Sequence, residues 1–199
     1  MDSDSIKGLL PPARIFLAQG RYAPAVESGG RRLVELKARY EDLGKARALL
    51  AGAEHVGTFR QVDTYFALGG RRLKLRTVAG SPAGQLVYYE RPDTAGVKES
   101  DVLLAPLEDA QSVLAILRRV MPVEAEVRKT REIYRYRGVQ VHLDTVAGLG
   151  RFIEFEKVLE AEADRESTWR ELESLRSYFQ IPPEDLMASS YSDLIEGRS

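Results

Sequence analysis

From residue 31 onward, hydrophobic and polar residues alternate in short runs, a pattern typical of half-buried β-strands. In the first run, residues 32 to 39, the even positions from 34 onward are apolar and the odd positions are mostly charged. Further runs predict strands at 58 to 67, 71 to 78, 85 to 91, 97 to 105, 124 to 136, 139 to 146 and 151 to 159. Glycine-containing turns separate several of these runs, which favours antiparallel pairing. About eight antiparallel strands can close into a barrel.

Three segments replace this alternation with helical periodicity. Residues 42 to 53 are predicted to form a helix capped by Asp42, and Pro106 is suited to open a second helix over 107 to 120. The C-terminal helix is predicted to bury one face, made of Trp169, Leu172, Leu175 and Phe179. The tail YSDLIEGRS is expected to add a short closing turn. We therefore predict an α+β fold, in which a closed eight-stranded antiparallel β-barrel is flanked by helices.

Residues 1 to 30 differ from the rest of the chain. They contain one short apolar stretch between Pro11-Pro12 and Gly29-Gly30. Because so few apolar residues cannot build a core, this segment is predicted to be a weakly structured N-terminal extension. Residues 31 to 199 then form one barrel domain with C-terminal helices, which is long enough to bury a substantial core.

The composition narrows the kinds of function that are expected. The chain has 29 Lys and Arg residues against 30 Asp and Glu residues, and this balance argues against a general nucleic-acid binder. There is no cysteine and there are only two histidines, so any metal is expected to be a hard cation held by carboxylates, such as Mg²⁺ or Mn²⁺. No apolar run approaches the length of a membrane span, and the N-terminus is acidic, so we expect a cytoplasmic protein.

Charges of one sign recur at every second position in several strands. The cations are Lys37, Arg72, Lys74, Arg76, Lys129 and Arg131. The carboxylates are Asp144, Glu154 and Glu156. In one interpretation these are the solvated outer faces of half-buried strands. In the other they converge, because like charges two residues apart repel and a solvated face would more often mix signs. Convergent cations would hold a polyphosphate, and the carboxylates would hold one or two Mg²⁺ ions.

Two further side chains share a face with charged residues. Tyr65 is in phase with Gln61 and Asp63, and His142 is in phase with Asp144. For Tyr65 a ligand contact and a plain cross-strand contact both stay open. A lone histidine in a strand is more often structural than catalytic.

Six motifs occur in an order that resembles the CYTH superfamily, named for class IV adenylate cyclases and thiamine triphosphatase. They are V-E-L-K-A-R, Q-V-D-T-Y-F, R-R-L-K-L-R, Y-Y-E-R-P-D, K-T-R-E-I-Y and V-H-L-D-T-V-A-G-L-G-R-F-I-E-F-E. The resemblance covers residues 31 to 160, and the YSDLI tail is also similar. It implies an eight-stranded antiparallel triphosphate-tunnel barrel that uses Mg²⁺ or Mn²⁺, in agreement with the strand count.

The resemblance also implies roles for individual residues. The residues implied to bind substrate are Lys37, Arg72, Lys74, Arg76, Arg91, Lys98, Lys129 and Arg131. The residues implied to bind metal are Glu35, Asp144, Glu154 and Glu156. The Y-E-R-P segment differs from the K-G-P-like or K-x-P-like text common in the family, so Arg91 either replaces that lysine in a shifted register or points outward. The one clear departure is at the first Glu of the opening E-x-E-x-K motif, which is Leu33 in this chain. This departure puts the second metal site, or its usual geometry, in question.

Three functions remain open at this stage. The motif set most resembles class IV adenylate cyclases, which convert ATP to cyclic AMP and pyrophosphate. The alternatives are a hydrolase of thiamine triphosphate or inorganic tripolyphosphate on the same fold, and a non-catalytic binder of polyphosphate or nucleotide. No catalytic residue beyond the metal ligands is indicated. The expected partner is a small-molecule triphosphate, with neither nucleic acid nor membrane, and a homodimer remains open.

Overall fold

The computed structural model describes residues 16–18, 21–23, 29–69, 71–90 and 94–197. The strands are β1 (Phe16–Ala18), β2 (Arg21–Ala23), β3 (Gly29–Arg39), β4 (Glu54–Leu68), β5 (Arg71–Val78), β6 (Gly84–Glu90), β7 (Lys98–Leu107), β8 (Val123–Tyr136), β9 (Val139–Val146) and β10 (Gly150–Val158). The helices are α1 (Leu43–Leu49), α2 (Ala110–Val120), α3 (Arg165–Tyr178) and α4 (Tyr191–Ile195), with short 3₁₀ turns at Glu162–Asp164 and Pro183–Asp185. Within this described part, no helix combines the length and the apolar character needed to cross a membrane.

Eight of the strands close into one antiparallel barrel, in the order β10-β3-β7-β6-β5-β4-β8-β9. The predicted closed eight-stranded barrel with flanking helices is therefore confirmed. In the described residues, β1 and β2 form a separate two-stranded sheet, and β3 begins at Gly29. The remaining residues of the predicted N-terminal extension lie outside the described residues, so its weak structure stays a prediction.

On five of the barrel strands, β3, β4, β5, β9 and β10, apolar residues point outward and pack against helices. The largest core joins β3, β9 and β10 to α1 and α3, and its fully buried members include Leu36, Phe155, Leu172 and Phe179. A smaller core places α2 over β4 and β5 around Phe66, Leu75 and Ala110. Because side chains alternate between the two faces of a strand, this outward packing turns the charged faces toward the barrel interior. The fold therefore agrees with the second interpretation of the charge pattern, in which the charged side chains of several strands meet inside the barrel.

Two predicted helix boundaries differ from the structure. Pro106 lies in β7 opposite Gln85, so its predicted role as the start of α2 is wrong. The helix begins at Ala110, because the Asp109 side chain accepts a hydrogen bond from the Ser112 backbone N–H at 3.0 Å. The predicted cap of α1 is confirmed, since Asp42 accepts from the backbone of Lys45 at 2.9 Å. That helix is shorter than predicted and ends at Leu49.

Trp169 is not a core residue, contrary to the prediction for the C-terminal helix. Its exposed fraction is 38%, and its indole N–H donates to Glu99 at 3.4 Å. The buried stripe consists of Thr168, Leu172, Leu175 and Phe179. These positions are separated by four, three and four residues, which is the spacing of one helix face, and Trp169 lies beside that face.

Replacing Gly84 with alanine should destabilise the barrel where α2 packs on it. A Cβ atom at this position would lie 2.6 Å from the Cβ of Ala110 and closer still to the Arg76 carbonyl oxygen. We expect Gly84→Ala to lower the free energy of unfolding by about 1–3 kcal/mol, measured by urea denaturation. A Cβ at Gly52 would meet no atom within 4 Å, so Gly52→Ala is the matched control and should change stability by less than about 0.5 kcal/mol. Equal effects of the two substitutions would contradict the packing argument.

Candidate active site

A cavity of about 150 Å³ lies inside the barrel. Among the described residues, its lining includes five cations, here called the cationic cradle: Lys37, Lys74, Arg76, Lys129 and Arg131. It also includes three carboxylates: Glu35, Glu154 and Glu156. These residues come from the inward faces of β3, β5, β8 and β10. The structure thus brings together eight of the twelve residues that the sequence placed in the site.

Asp63, on β4, is fully buried and holds three cations of the cradle. Arg76 donates to both of its carboxylate oxygens, at 2.7 and 2.8 Å. The Nζ atoms of Lys129 and Lys74 lie 3.2 and 3.5 Å from its Oδ2. Burial alone would raise the pKa of Asp63, but these three positive charges hold that pKa well below its usual value. Asp63 is therefore ionised at neutral pH and orients the cations around it.

A second buried network centres on Arg131. Its guanidinium donates to both oxygens of Asp144, at 2.7 and 2.6 Å, and also to Glu154. The Tyr191 hydroxyl donates to Asp144 at 2.8 Å. Lys37 completes the network, with its Nζ 2.8 Å from Glu154 Oε1. Asp144 therefore lies behind Arg131 as its bidentate partner, outside the described cavity lining.

Within this network, each charged group favours the ionised form of its neighbours of opposite charge. Burial alone would lower the pKa of Arg131, but Asp144 and Glu154 raise it well above its usual value. Burial alone would raise the pKa of Glu154, but Arg131 and Lys37 hold it well below its usual value. For Tyr191, burial and the neighbouring carboxylates raise the pKa well above its usual value, so its hydroxyl keeps its proton.

Glu35 and Glu156 lie directly opposite each other on β3 and β10. Glu35 Oε1 is 3.9 Å from the Lys98 ammonium, and Glu156 Oε2 is 3.8 Å from His142 Nδ1. Opposed carboxylates repel unless a cation offsets their charge. Among the described residues, no group of three or more His, Cys, Asp or Glu side chains is arranged to hold a metal.

This pair of carboxylates nevertheless fits Mg²⁺ or Mn²⁺. Mg²⁺ is commonly held by one or two carboxylates, with water and substrate phosphates completing its coordination. Glu35 and Glu156 both line the cavity and supply oxygen ligands only. Glu154, in the same lining, is engaged by Lys37 and Arg131.

Two predicted substrate cations contact the C-terminal segment 187–197, here called the tail. The Lys98 ammonium is fully buried and donates to the backbone carbonyls of Met187 and Ala188, at 3.0 and 3.1 Å. The Arg72 guanidinium donates to Asp193 Oδ2 at 3.0 Å. Neither side chain is part of the described cavity lining. Arg91, the remaining predicted cation, lies outside the described residues.

The tail closes one side of the site through α4. Ser190 and Asp193 form a reciprocal capping box at the start of this helix. The ring of Tyr191 packs edge-on against Phe152, with 4.9 Å between the ring centroids. The Lys37 ammonium lies 3.8 Å from the centre of the Tyr191 ring. Ser190 and Tyr191 both line the cavity, so the tail supplies part of the site as well as closing the barrel.

The main residues that the sequence pattern did not assign to the site are Asp63 and Tyr191. A signal existed for each, because Asp63 shares a period-two face with Tyr65, and S-x-x-D in the tail is a helix-capping pattern. Tyr65 lines the cavity, and its hydroxyl accepts from Lys74 at 3.4 Å. His142 is buried beside Glu154, with its Nδ1 3.5 Å from Oε2.

Solved structures share this architecture at low sequence identity. The PH1012 protein of Pyrococcus horikoshii superposes with a TM-score of 0.71 at 21% identity, covering 81% of this chain and 98% of that one. A Vibrio parahaemolyticus structure titled a "putative adenylate cyclase" superposes with a TM-score of 0.72 at 18% identity, covering 84% of this chain and 99% of that one. These likenesses show a common fold.

Sequence comparison extends the relationship beyond the fold. A Methanocaldococcus jannaschii protein named "Putative adenylate cyclase" is 25% identical over 138 residues, which cover 68% of this chain and 77% of that protein. The family model for the CYTH domain matches residues 31–191. That match spans the barrel, α3 and the start of α4. The chain therefore belongs to the CYTH domain family.

Proposed function

We propose that this protein is a divalent-metal-dependent adenylate cyclase that converts ATP to cyclic AMP and pyrophosphate. The observation that carries the proposal is the cationic cradle, which shares one cavity with the opposed carboxylates Glu35 and Glu156. The names given to the Methanocaldococcus and Vibrio relatives support the choice of reaction.

The cradle is suited to bind a triphosphate. Arginine forks match phosphate oxygens, and lysine ammonium groups add compact positive charge. Asp63 and Asp144 already hold Arg76 and Arg131 by two hydrogen bonds each. Because these side chains are ordered in advance, binding loses less conformational entropy than it would with mobile side chains.

Glu35 and Glu156 would hold the divalent cation. When bound, that cation supplies charge neutralisation on the phosphate oxygens. The lining carries five cations and three carboxylates, and Asp63 and Asp144 contact the cations from behind, so the two signs are equal in number. A divalent cation on Glu35 and Glu156 would therefore add the positive charge that favours an anionic ligand. The cation held by Glu35 and Glu156 and the cradle would thus act on the same triphosphate.

The proposed reaction joins the ribose 3′-oxygen of ATP to its own α-phosphorus. The bond between the α-phosphorus and the oxygen that bridges to the β-phosphorus breaks, the hydroxyl proton is released, and pyrophosphate leaves. Cradle cations around the β- and γ-phosphates stabilise the negative charge that grows on the leaving group. The closed barrel wall limits the access of water, which favours cyclisation over hydrolysis. Positioning and electrostatics of this kind can account for phosphoryl transfer without a dedicated histidine base.

The first test is turnover of ATP with Mg²⁺ or Mn²⁺ by the full chain. We expect cyclic AMP and pyrophosphate in equal amounts, and we expect Glu156→Gln to lower kcat by about 100-fold or more because one ligand for the cation is lost. Glu160 is exposed just beyond β10, so Glu160→Gln is the matched control and should leave kcat unchanged. Release of orthophosphate in place of cyclic AMP and pyrophosphate would show that the protein is a triphosphatase. ATP binding that persists in EDTA, without turnover, would indicate a binding protein.

The second test separates the cradle from the cations that hold the tail. Lys74→Met should weaken ATP binding by about 10- to 100-fold, because a charge-assisted phosphate contact is lost, with little change in stability. Lys98→Met should instead lower the free energy of unfolding by about 2–4 kcal/mol, because the carbonyls of Met187 and Ala188 lose their buried donor. Calorimetric titration and urea denaturation measure the two effects. If Lys98→Met weakened ATP binding and left stability unchanged, Lys98 would belong to the substrate site.

The third test concerns Lys129, whose ammonium is buried in the cradle. Burial and the nearby charge of Arg131 lower the pKa of Lys129 from 10.5 to about 7, although Asp63 partly opposes this. At pH values between about 7 and 10.5, Lys129 is mostly protonated in the unfolded chain and mostly unprotonated in the folded protein. The wild type should therefore gain stability as pH rises from 7 toward 10.5.

Lys129→Met should remove this dependence and stabilise the protein by about 1–4 kcal/mol at pH 6.5, with a smaller difference at pH 9.5. The same variant should bind ATP more weakly, because the cradle loses a charge. Urea denaturation at the two pH values and calorimetric titration check both effects. Lys45 is exposed on α1, and Lys45→Met provides the control. A destabilised Met variant at pH 6.5 would show that the ion pair with Asp63 outweighs the burial cost.

A further inference from the structure

One wall of the cavity is apolar. It is formed by Leu33 of β3, Val87 and Tyr89 of β6, and Val102 and Leu104 of β7, here called the apolar wall. The first four of these residues are at most 9% exposed, and all five line the cavity. Leu33, which stands where the family pattern has a glutamate, is thus one member of a continuous surface on adjacent strands.

The apolar wall adjoins both charged parts of the site. Val87 lies directly opposite Lys74 across β6 and β5, so the wall meets the cradle there. On β3, Leu33 is followed two positions later by Glu35, so the wall also meets the carboxylate pair on the same face. A ligand whose phosphates lie in the cradle can therefore place its remaining atoms against the wall.

The wall carries one polar group suited to a directional contact. Ser100 lies directly opposite Leu33, lines the cavity and is 3% exposed. Its Oγ atom has no hydrogen-bond partner among the residues that the structure describes. A buried hydroxyl without a partner is costly, so a ligand atom that bonds to it would gain in both affinity and selectivity.

These surfaces suit different parts of one ligand. Inorganic tripolyphosphate is charged along its whole length and gains nothing from contact with the apolar wall. A flat organic ring would instead bury apolar surface there. We propose, on the basis of the proposed function, that the apolar wall holds the uncharged base of a nucleoside triphosphate and so makes this site selective for nucleotides over inorganic tripolyphosphate.

The cations beside the Tyr89 end of the wall favour an uncharged ring there over a cationic one. Tyr89 lies opposite Arg72, whose guanidinium carbon is 5.9 Å from the centre of the Tyr89 ring. The Lys74 ammonium is 5.4 Å from the same ring centre. A positively charged ring placed on the wall would meet both cations. Thiamine triphosphate, whose thiazolium ring is cationic, should therefore bind more weakly than ATP.

The experiment compares ligands that share the triphosphate and differ in the organic part. The probes are α,β-methylene-ATP, which cannot be cyclised with loss of pyrophosphate, ribose 5-triphosphate, thiamine triphosphate and inorganic tripolyphosphate, each titrated calorimetrically with Mg²⁺. We expect the ATP analogue to bind about 10- to 100-fold more tightly than ribose 5-triphosphate, because only the analogue has a base to bury. Equal affinities of these two ligands would overturn the proposal, and so would tighter binding of thiamine triphosphate than of the analogue.

Substitutions on the apolar wall test whether the preference for the ATP analogue over ribose 5-triphosphate depends on it. Leu33→Gln should weaken binding of the ATP analogue by about 3- to 10-fold and change the affinity for ribose 5-triphosphate by less than about twofold. Val102→Thr, which nearly conserves shape, is a second variant in case Leu33→Gln folds poorly. Leu103 is 52% exposed on the outer face of β7, and Leu103→Gln is the control that should change neither affinity. Equal weakening of both ligands by the wall variants would contradict a base-binding role.

The outcome is distinguishable from that of the cyclase assay. Preference for the ATP analogue without formation of cyclic AMP would support the apolar wall and refute the proposed reaction. Formation of cyclic AMP together with equal binding of the analogue and ribose 5-triphosphate would support the reaction and refute the base-binding wall.

Discussion

Two buried carboxylates, Asp63 and Asp144, offset the positive charge that the barrel encloses. Without them, Arg76 and Arg131 would face other cations in a space of low dielectric constant, where unpaired charge is costly. Each carboxylate accepts two hydrogen bonds from one guanidinium, which fixes its orientation before a ligand arrives. On β3, β9 and β10 the outer faces are apolar and packed against α1 and α3. A one-residue slip of a strand would therefore expose apolar residues to the interior charges and bury charges under helices, so packing and electrostatics specify the same register.

The tail links the site to the stability of the fold. Arg72 is in phase with the cradle residues of β5, and Lys98 is in phase with the cavity-lining Ser100 of β7. Both nevertheless contact the tail, through Asp193 and through backbone carbonyls. In return, Tyr191 donates to Asp144 and lies under the Lys37 ammonium. Loss of the tail would thus take one carboxylate from Arg72 and two carbonyl acceptors from Lys98, and it would remove Ser190 and Tyr191 from the cavity lining. The site is therefore complete only when the tail is packed against the barrel.

The faces of the strands were predictable because period-two alternation is local and survives any tertiary arrangement. The closed barrel followed from the number of strands and from the resemblance to a known family. The start of α2 was not predictable, because Pro106 suits a first helical turn as well as a strand end, and pairing with Gln85 decides between them. Nor could alternation show that Lys98 would meet the tail, because that contact joins segments about ninety residues apart in sequence. Asp63 was visible as a member of a charged face, but its three cationic partners come from two other strands.

The apolar wall also affects the electrostatics of the cradle. Apolar side chains exclude water, and at a lower effective dielectric constant each contact between a phosphate and a cation becomes stronger. Burial makes an ammonium costly in the same way, and burial together with the charge of Arg131 lowers the pKa of Lys129 to about 7. A triphosphate in the cavity would add negative charge to that of Asp63 and favour the protonated form of Lys129. Leu33 in place of an acidic residue therefore removes one negative charge that would compete with the phosphates for the cations, and it adds apolar surface beside them.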